Sequence, residues 1–169
     1  IDSSVPGADS LVDSLSGTGA SAVLIAAGED GLLAVSRVLA GHDSLAAVHI
    51  VSHGEPGAVT LGGATLDAAS LAANADGIAR WGEALRAGGD LLVYGCEAGA
   101  GEAGARFVDA LAALTGADVA ASDDLTGHAS LGGDWTLERT SGRIEAGTLD
   151  AGFAAERWRH VLDSITIAF

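Results

Sequence analysis

The chain has 169 residues, room for one domain with a substantial core, and its 49% apolar and 18% charged content excludes a disordered acidic tail. Eight Lys and Arg against 23 Asp and Glu give a net charge of −15, a surface that repels phosphate backbones and excludes general nucleic-acid binding. The single cysteine, Cys96, excludes an internal disulfide, and no apolar run reaches the ~18 residues of a membrane span, so no membrane insertion is expected. Methionine is absent even at position 1, and no basic-then-apolar leader opens the sequence. We therefore expect a segment of a longer or processed chain, with any export signal outside it.

The run Ala22–Ala27 (AVLIAA) predicts a buried strand closed by Gly28, and Leu32, Val35 and Leu39 then mark a helix face that ends at Gly41. Leu45–Ser52 (LAAVHIVS) predicts a second buried strand, followed by His53-Gly54. Ala58–Leu61 and Ala64–Leu66 flank Gly62-Gly63, the pattern of a hairpin with a two-residue turn. Asp67 is placed to cap a short helix through Leu71, and Asp76 a longer one carrying Ile78, Trp81 and Leu85, which Gly88-Gly89 breaks. Leu91–Tyr94 predicts a third buried strand running into Gly95-Cys96. A glycine-rich loop from Gly99 to Gly104 leads into a helix aligned on Phe107, Leu111 and Leu114 and stopped at Gly116. Asp118–Ser122 predicts a fourth strand, Trp135–Glu138 with Arg143–Glu145 a terminal hairpin, and Phe153–Leu162 a last helix. The alternation predicts an α/β fold: one domain over residues 1–169 with a mostly parallel sheet covered on both faces, residues from about 151 forming a C-terminal helix and tail.

Open parallel sheets bind ligands beyond the carboxyl ends of their strands. Two strands end there in reactive residues, one in VHIVSHG with His53 and one in LLVYGC with Cys96. A right-handed crossover sets such strands side by side or nearly so. A thiol becomes a nucleophile as thiolate, which a neighbouring imidazole or a helix N-terminus favours, and Cys96 shortly precedes a helix start. Gly54 and Gly95 allow close backbone approach, and the N–H groups of Gly54 and Cys96 are candidates to receive a developing oxyanion. The same residues also fit a plainer reading, an inert packed cysteine and a hydrogen-bonded histidine at a strand end. His49, inside its strand, reads as a packed core histidine. Without spaced Cys and His partners no zinc site is expected. Asp123 and Asp124, with Asp134 beyond, follow the fourth strand; they fit a substrate-binding pocket, a calcium-binding loop or a capped solvated turn.

An apolar strand ending in His53-Gly54, followed by one ending in Gly95-Cys96, resembles the signature of caspase-like cysteine peptidases, the caspase, gingipain, clostripain and legumain relatives. VHIVSHGEPGAVTLGGATL, LLVYGCEAGAGEAGARFVDALAALTGADVAASDDLTG and LGGDWTLE resemble, over roughly residues 1–150, a bacterial domain family found near the N-termini of giant repeat-rich surface and secreted proteins. The resemblance implies a caspase-like three-layer sandwich with a β-hairpin after the histidine strand. It implies a His53–Cys96 dyad and an oxyanion hole from the Gly54 and Cys96 N–H groups. It also implies a secreted or cell-surface location. Relatives that cut after basic residues carry a carboxylate near the strand after the cysteine helix, the region of Asp123, Asp124 and Asp134. The caspase-type Gln-Ala-Cys-Arg-Gly motif is absent; Tyr94-Gly95-Cys96-Glu97-Ala98 stands in its place, which speaks against aspartate specificity.

Three functions follow as expectations. The first is a cysteine endopeptidase without a cofactor, acting on its own longer polypeptide or a neighbouring protein, after a basic residue. The other two are a catalytically silent module of a repeat-rich adhesin and a calcium-responsive interaction domain. The first expects an exposed thiol that alkylates quickly at neutral pH.

Overall fold

A computed structural model describes residues 1–15, 19–149 and 158–162. Its centre is a four-stranded sheet built from β1 (Leu45–Val51), β5 (Leu85–Tyr94), β6 (Asp118–Ala121) and β7 (Arg139–Ser141), in that spatial order. The first three strands run parallel and β7 is antiparallel to β6. A separate antiparallel sheet, β2 (Gly54–Glu55), β3 (Ala58–Leu61) and β4 (Ala64–Asp67), fills part of the crossover from β1 to β5. Leu61 pairs with Ala64 across Gly62-Gly63, the two-residue turn the sequence predicts.

Strand alternation sorts the apolar residues onto two faces. Leu91, Val93, Val119 and Ala121 face one core, closed by α2 (Gly31–Leu39), α4 (Ala75–Glu83) and α5 (Gly101–Thr115). Trp81 is its largest buried side chain, and its indole N–H donates to Ser36 Oγ at 2.8 Å, joining α4 to α2. Leu92, Tyr94, Cys96 and Ala120 face the second core, which α1 (Ala8–Leu15), Trp135, Trp158 and Leu162 cover. An aromatic row crosses that face, from His49 stacked on Tyr94 through Trp135 to Trp158. The molecule is therefore a mixed α/β domain with a mostly parallel sheet buried on both faces.

Local chemistry accounts for the helix ends. Asp30 caps α2 by accepting from Leu33 N–H, and Gly116 ends α5 at φ +69°, a left-handed conformation glycine adopts without penalty. Asp67 caps α3 (Ala68–Ala73) in a reciprocal capping box with Ser70.

Several elements differ from the sequence prediction. Ala22–Ala27 is not a buried strand: Ile25 alone makes a bridge, to Asp2, while Val23 and Leu24 are exposed. Residues 1–3 separate this segment from β1, with Asp2 N–H on Val51 O and Ser3 N–H on Ile25 O, so the apolar run lies at the sheet's outer edge. Asn74, not Asp76, precedes α4, and Leu85 begins β5 instead of extending the helix face. Gly88-Gly89 falls within β5, where the register with β1 shifts between Leu45 and Ala47. The helix after Cys96, by contrast, starts at Gly101, and the sequence places its beginning near Gly101-Glu102. Trp135–Glu138 and Arg143–Glu145 form no hairpin, because the intervening Arg139–Ser141 pairs with β6 instead. Of the predicted last helix, Phe153 to Arg157 lie outside the described residues, as does the tail after Leu162. Trp158–Leu162 is extended, and Val161 bridges Gly127.

The Asp67 cap is testable through pH. The Ser70 backbone N–H, with smaller help from the Ser70 hydroxyl, holds the Asp67 carboxyl below its ordinary range against a smaller desolvation effect. A depressed folded value means the cap stabilises fully above the unfolded carboxyl's pH range and fails as pH falls through the folded value. Asp67→Ala should cost about 1 kcal/mol at pH 7, or a Tm drop of about 2–4 °C. The gap between variant and wild type should persist through the ordinary carboxylate range and close only at more acid pH in thermal melts.

Candidate active site

The parallel pairing of β1 with β5 keeps register to its last rung, Val51 opposite Tyr94, and Ser52 N–H donates to Tyr94 O at 2.9 Å beyond it. Both strands therefore release the chain at one edge, into His53-Gly54 and Gly95-Cys96. These two glycines lie against each other. A Cβ on Gly54 would sit 2.6 Å from Gly95 C and 2.7 Å from Cys96 O. One on Gly95 would sit 2.9 Å from Val59 Cγ1 and 3.2 Å from Gly54 Cα. Only hydrogen fits at both positions, and the closeness brings the backbones bearing His53 and Cys96 together. Gly57 N–H, donating to Ala98 O at 3.1 Å, ties the same loops a second time.

The His53 imidazole Nε2 lies 3.3 Å from Ser4 O. A carbonyl only accepts, so Nε2 carries the proton in this contact and Nδ1 carries the lone pair. Nδ1 is buried and has no hydrogen-bond partner among the described residues. Ser4 is itself held by Asp2, a fully buried carboxylate that accepts from Ser4 N–H at 2.7 Å, from the Ser4 hydroxyl and from Gly62 N–H. In the β2–β3 ladder His53 O accepts from Thr60 N–H at 2.9 Å, which makes Gly54 and Val59 a non-hydrogen-bonded pair. Gly54 N–H is thus not used across that ladder.

Cys96 contradicts the expectation of an exposed thiol: it is 3% exposed and belongs to the second core. Thr126 covers it, its N–H donating to Sγ at 3.4 Å and its carbonyl 3.8 Å from Sγ. The next residue, Glu97, has φ +60°, the left-handed region, and is the only described non-glycine residue there. Its N–H donates to Asp124 O at 2.8 Å, and Gly99 N–H to Ser122 O at 2.6 Å, so the loop after β6 is latched onto the loop bearing the thiol.

That loop carries the acidic residues. Carboxylate oxygens of Asp124, Asp134 and Glu138 lie within 4.8 Å of one another, all three residues exposed. Asp123 is half-buried, and its N–H donates to Glu138 Oε2 at 3.0 Å. Burial foremost, then the charges of Glu138, Asp134 and Asp123, push the Asp124 carboxyl above its ordinary range. A concavity of about 490 Å³ lies elsewhere, between α2 and α4, lined among others by Leu33, Ser36, Arg80 and Trp81. It includes neither His53 nor Cys96.

A family model matches residues 1–162. The chain belongs to the DUF4347 family, described as a domain of unknown function. No curated protein and no solved structure matches it.

In this DUF4347 domain the structure brings His53, Gly54 and Cys96 to one edge, and sets Asp123, Asp124 and Asp134 on the adjoining loop. Sequence reasoning missed Ser4, Asp2, Thr126 and Glu138. Glu138 was within reach: Trp135 and Leu137 are buried while Asp134, Thr136 and Glu138 are exposed, a period-two alternation that puts both carboxylates on one side. Nothing local marks Ser4, Asp2 or Thr126, whose roles arise from contacts between distant segments.

Two outcomes follow. Gly54→Ala should cost at least the upper end of the ~1–3 kcal/mol range for overpacking, because backbone atoms block the added methyl. Gly77→Ala, in α4 where an added Cβ meets nothing, should instead stabilise by ~0.5–1 kcal/mol. Urea unfolding of both variants checks the contrast. Asp124→Asn should raise Tm by about 1 °C at pH 7, since a raised folded value makes ionisation destabilising as pH rises through it. The gain should vanish below about pH 4 and shrink in high salt.

Proposed function

We propose that this domain is a caspase-like cysteine endopeptidase with His53 and Cys96 as its dyad. The observation that carries the reading is the Gly54–Gly95 contact, which two strands ending in His-Gly and Gly-Cys make at one sheet edge. The sheet, with helices on both faces and a hairpin after the histidine strand, is compatible with a caspase-like three-layer arrangement; an antiparallel β7 is its outer strand.

In this reading His53 Nδ1 takes the proton of Cys96, with Nε2–H held by Ser4 O. The thiolate attacks the scissile carbonyl, forming a C–S bond, and the oxyanion is received by the N–H groups of Gly54 and Cys96. The imidazolium returns its proton to the leaving amine as the C–N bond breaks. Water then hydrolyses the thioester, releasing the new carboxyl end and restoring the thiol. The acidic loop favours a basic residue before the cut, with Asp124 its first partner and Asp134 its second, since an acidic side chain would meet like charge there.

The substrate we favour is the domain's own longer polypeptide or a neighbouring surface or secreted protein. Residues 160–162 support the first choice. His128 N–H donates to His160 O at 2.8 Å and Leu162 N–H to Thr126 O at 2.9 Å. An extended piece of this chain thus pairs with the segment that covers the thiol, the way a peptide adds to a sheet edge. Arg157 and Arg159 precede it in the sequence.

Burial of Cys96 favours a second reading, a catalytically silent module in which the thiol is a packing group. Incubating a longer chain and weighing the products separates the two. The peptidase reading expects cleavage that Cys96→Ala, Cys96→Ser and His53→Ala each abolish in chains that still fold and melt cooperatively, the buried Cys96 variants at a lower Tm. N-terminal sequencing of the released fragment should place the cut in or just after residues 156–163. Fluorogenic peptides should rank Arg and Lys above Leu, Asn and Asp, and Asp124→Asn should penalise Arg most. Cleavage persisting in Cys96→Ala at the wild-type rate would sink the dyad, and an intact wild-type chain with no peptide cut leaves the silent module.

A further inference from the structure

Three carboxylates meet at the opposite, amino end of the sheet. Asp90 of β5 and Asp118 of β6 are register partners on adjacent parallel strands. Alternation puts both on the face of Leu92, Tyr94 and Ala120. Like charges directly opposite on one face destabilise a strand pair. Glu145, beyond β7, joins them, and one oxygen from each of the three lies within 4.8 Å of the others. In addition, a Cβ on Gly142 would collide with Asp118 Oδ1, so the chain leaving β7 is drawn tightly over this carboxylate.

An independent observation concerns Asp90 itself. It is 1% exposed. Its Oδ2 accepts from Glu145 N–H at 3.1 Å and Ala146 N–H at 2.7 Å, whereas Oδ1 is buried and has no hydrogen-bond partner among the described residues. A buried carboxylate oxygen without a partner is costly. No ion pair among the described residues reaches Asp90 or Asp118. Arg143 Nε, 3.3 Å from Glu145 Oε1, is largely solvent-exposed and engages only the outermost member. The imidazole of His49, near enough to feel the Asp90 charge, is pushed towards its neutral form mainly by burial and offers little compensation.

We propose that Asp90, Asp118 and Glu145 form a binding site for a divalent cation, best filled by calcium, that fastens the chain after β7 to the start of the β5–β6 pairing. The donor set is oxygen only, without the nitrogen or sulfur that selects zinc or copper. Two oxygens about 2.4 Å from one calcium ion can stand up to about 4.8 Å apart, and the three oxygens of this cluster lie within 4.8 Å of one another. The cation neutralises the facing aspartates and supplies the partner that Asp90 Oδ1 lacks. The Asp124, Asp134 and Glu138 cluster is different, since it is exposed and none of its oxygens is buried without a partner.

Calcium titration of the chelator-treated chain by calorimetry, with parallel thermal melts, tests the site; neither measurement depends on Cys96 being a nucleophile. One calcium per chain is expected, with a Tm rise of about 3–5 °C at saturation and a smaller response to magnesium. Asp90→Asn alters a buried group that also holds two backbone N–H groups and is open to misfolding, so the deciding variants are Glu145→Gln and Asp118→Asn. Each should weaken calcium binding at least roughly tenfold. Asp124→Asn combined with Asp134→Asn should leave it unchanged. No binding or Tm shift in the wild-type chain at millimolar calcium overturns the proposal. So does binding that survives Glu145→Gln and Asp118→Asn but disappears in the Asp124/Asp134 double variant.

Discussion

The Gly54 backbone rests on that of Gly95, and the whole carboxyl edge of the sheet is arranged around this contact. Parallel pairing of β1 and β5 delivers two chains to the same edge, where side chains would ordinarily force them to diverge. With hydrogen at both positions they stay together. The second sheet then follows directly, since Gly54 begins β2 and Val59 of β3 packs against Gly95. The loop into α5 follows as well, held by Gly57 N–H on Ala98 O and wound through the left-handed Glu97. A left-handed non-glycine residue persists where its surroundings over-determine it, and here the hydrogen bonds of its own N–H to Asp124 O and of Gly99 N–H to Ser122 O do so.

The two faces of the sheet do different things. One is a plain apolar core under α2, α4 and α5. The other mixes aromatic rings with groups that have chemistry: the thiol of Cys96, the imidazole of His49 and the Tyr94 hydroxyl, which accepts from Leu149 N–H at 3.1 Å. Its cover comes from α1 and from the chain after β6, including Trp158, whose indole N–H reaches Pro6 O at 2.6 Å. Access to the thiol is therefore governed by segments from both ends of the described chain. Thr126 touches the sulfur, and Val161 bridges the residue after Thr126.

The charge of −15 is not spread evenly in its consequences. At the carboxyl edge Asp124, Asp134 and Glu138 are exposed, so solvent screens their mutual repulsion, which adds less than desolvation to the raised Asp124 carboxyl. At the amino edge Asp90 is buried beside Asp118, where solvent screens far less and a counter-charge matters more. Equal numbers of carboxylates thus make a charged surface at one end of the sheet and a candidate ion site at the other.

The sequence by itself determined the elements whose signals are local. The β3–β4 turn at Gly62-Gly63, the Asp67 cap, the glycine stop at Gly116 and the apolar runs of β1, β5 and β6 each rest on neighbours a few residues apart, so periodicity and turn chemistry suffice to read them. The same holds for His53 and Cys96 as strand-end residues. Position within the sheet was decided by tertiary structure alone. Ala22–Ala27 has a buried strand's composition but sits outside residues 1–3, and apolar content does not tell an edge from a centre. Whether Trp135–Glu138 would pair with Arg143–Glu145 or the intervening Arg139–Ser141 with β6 depended on which backbone edge lay open. The burial of Cys96 under Thr126, the hold of Ser4 on His53 and the facing of Asp90 with Asp118 likewise depend on register between segments far apart in the chain. Side-chain identity names the chemistry a residue can do; the strand pairing that places it beside a partner is a long-range property no local pattern encodes.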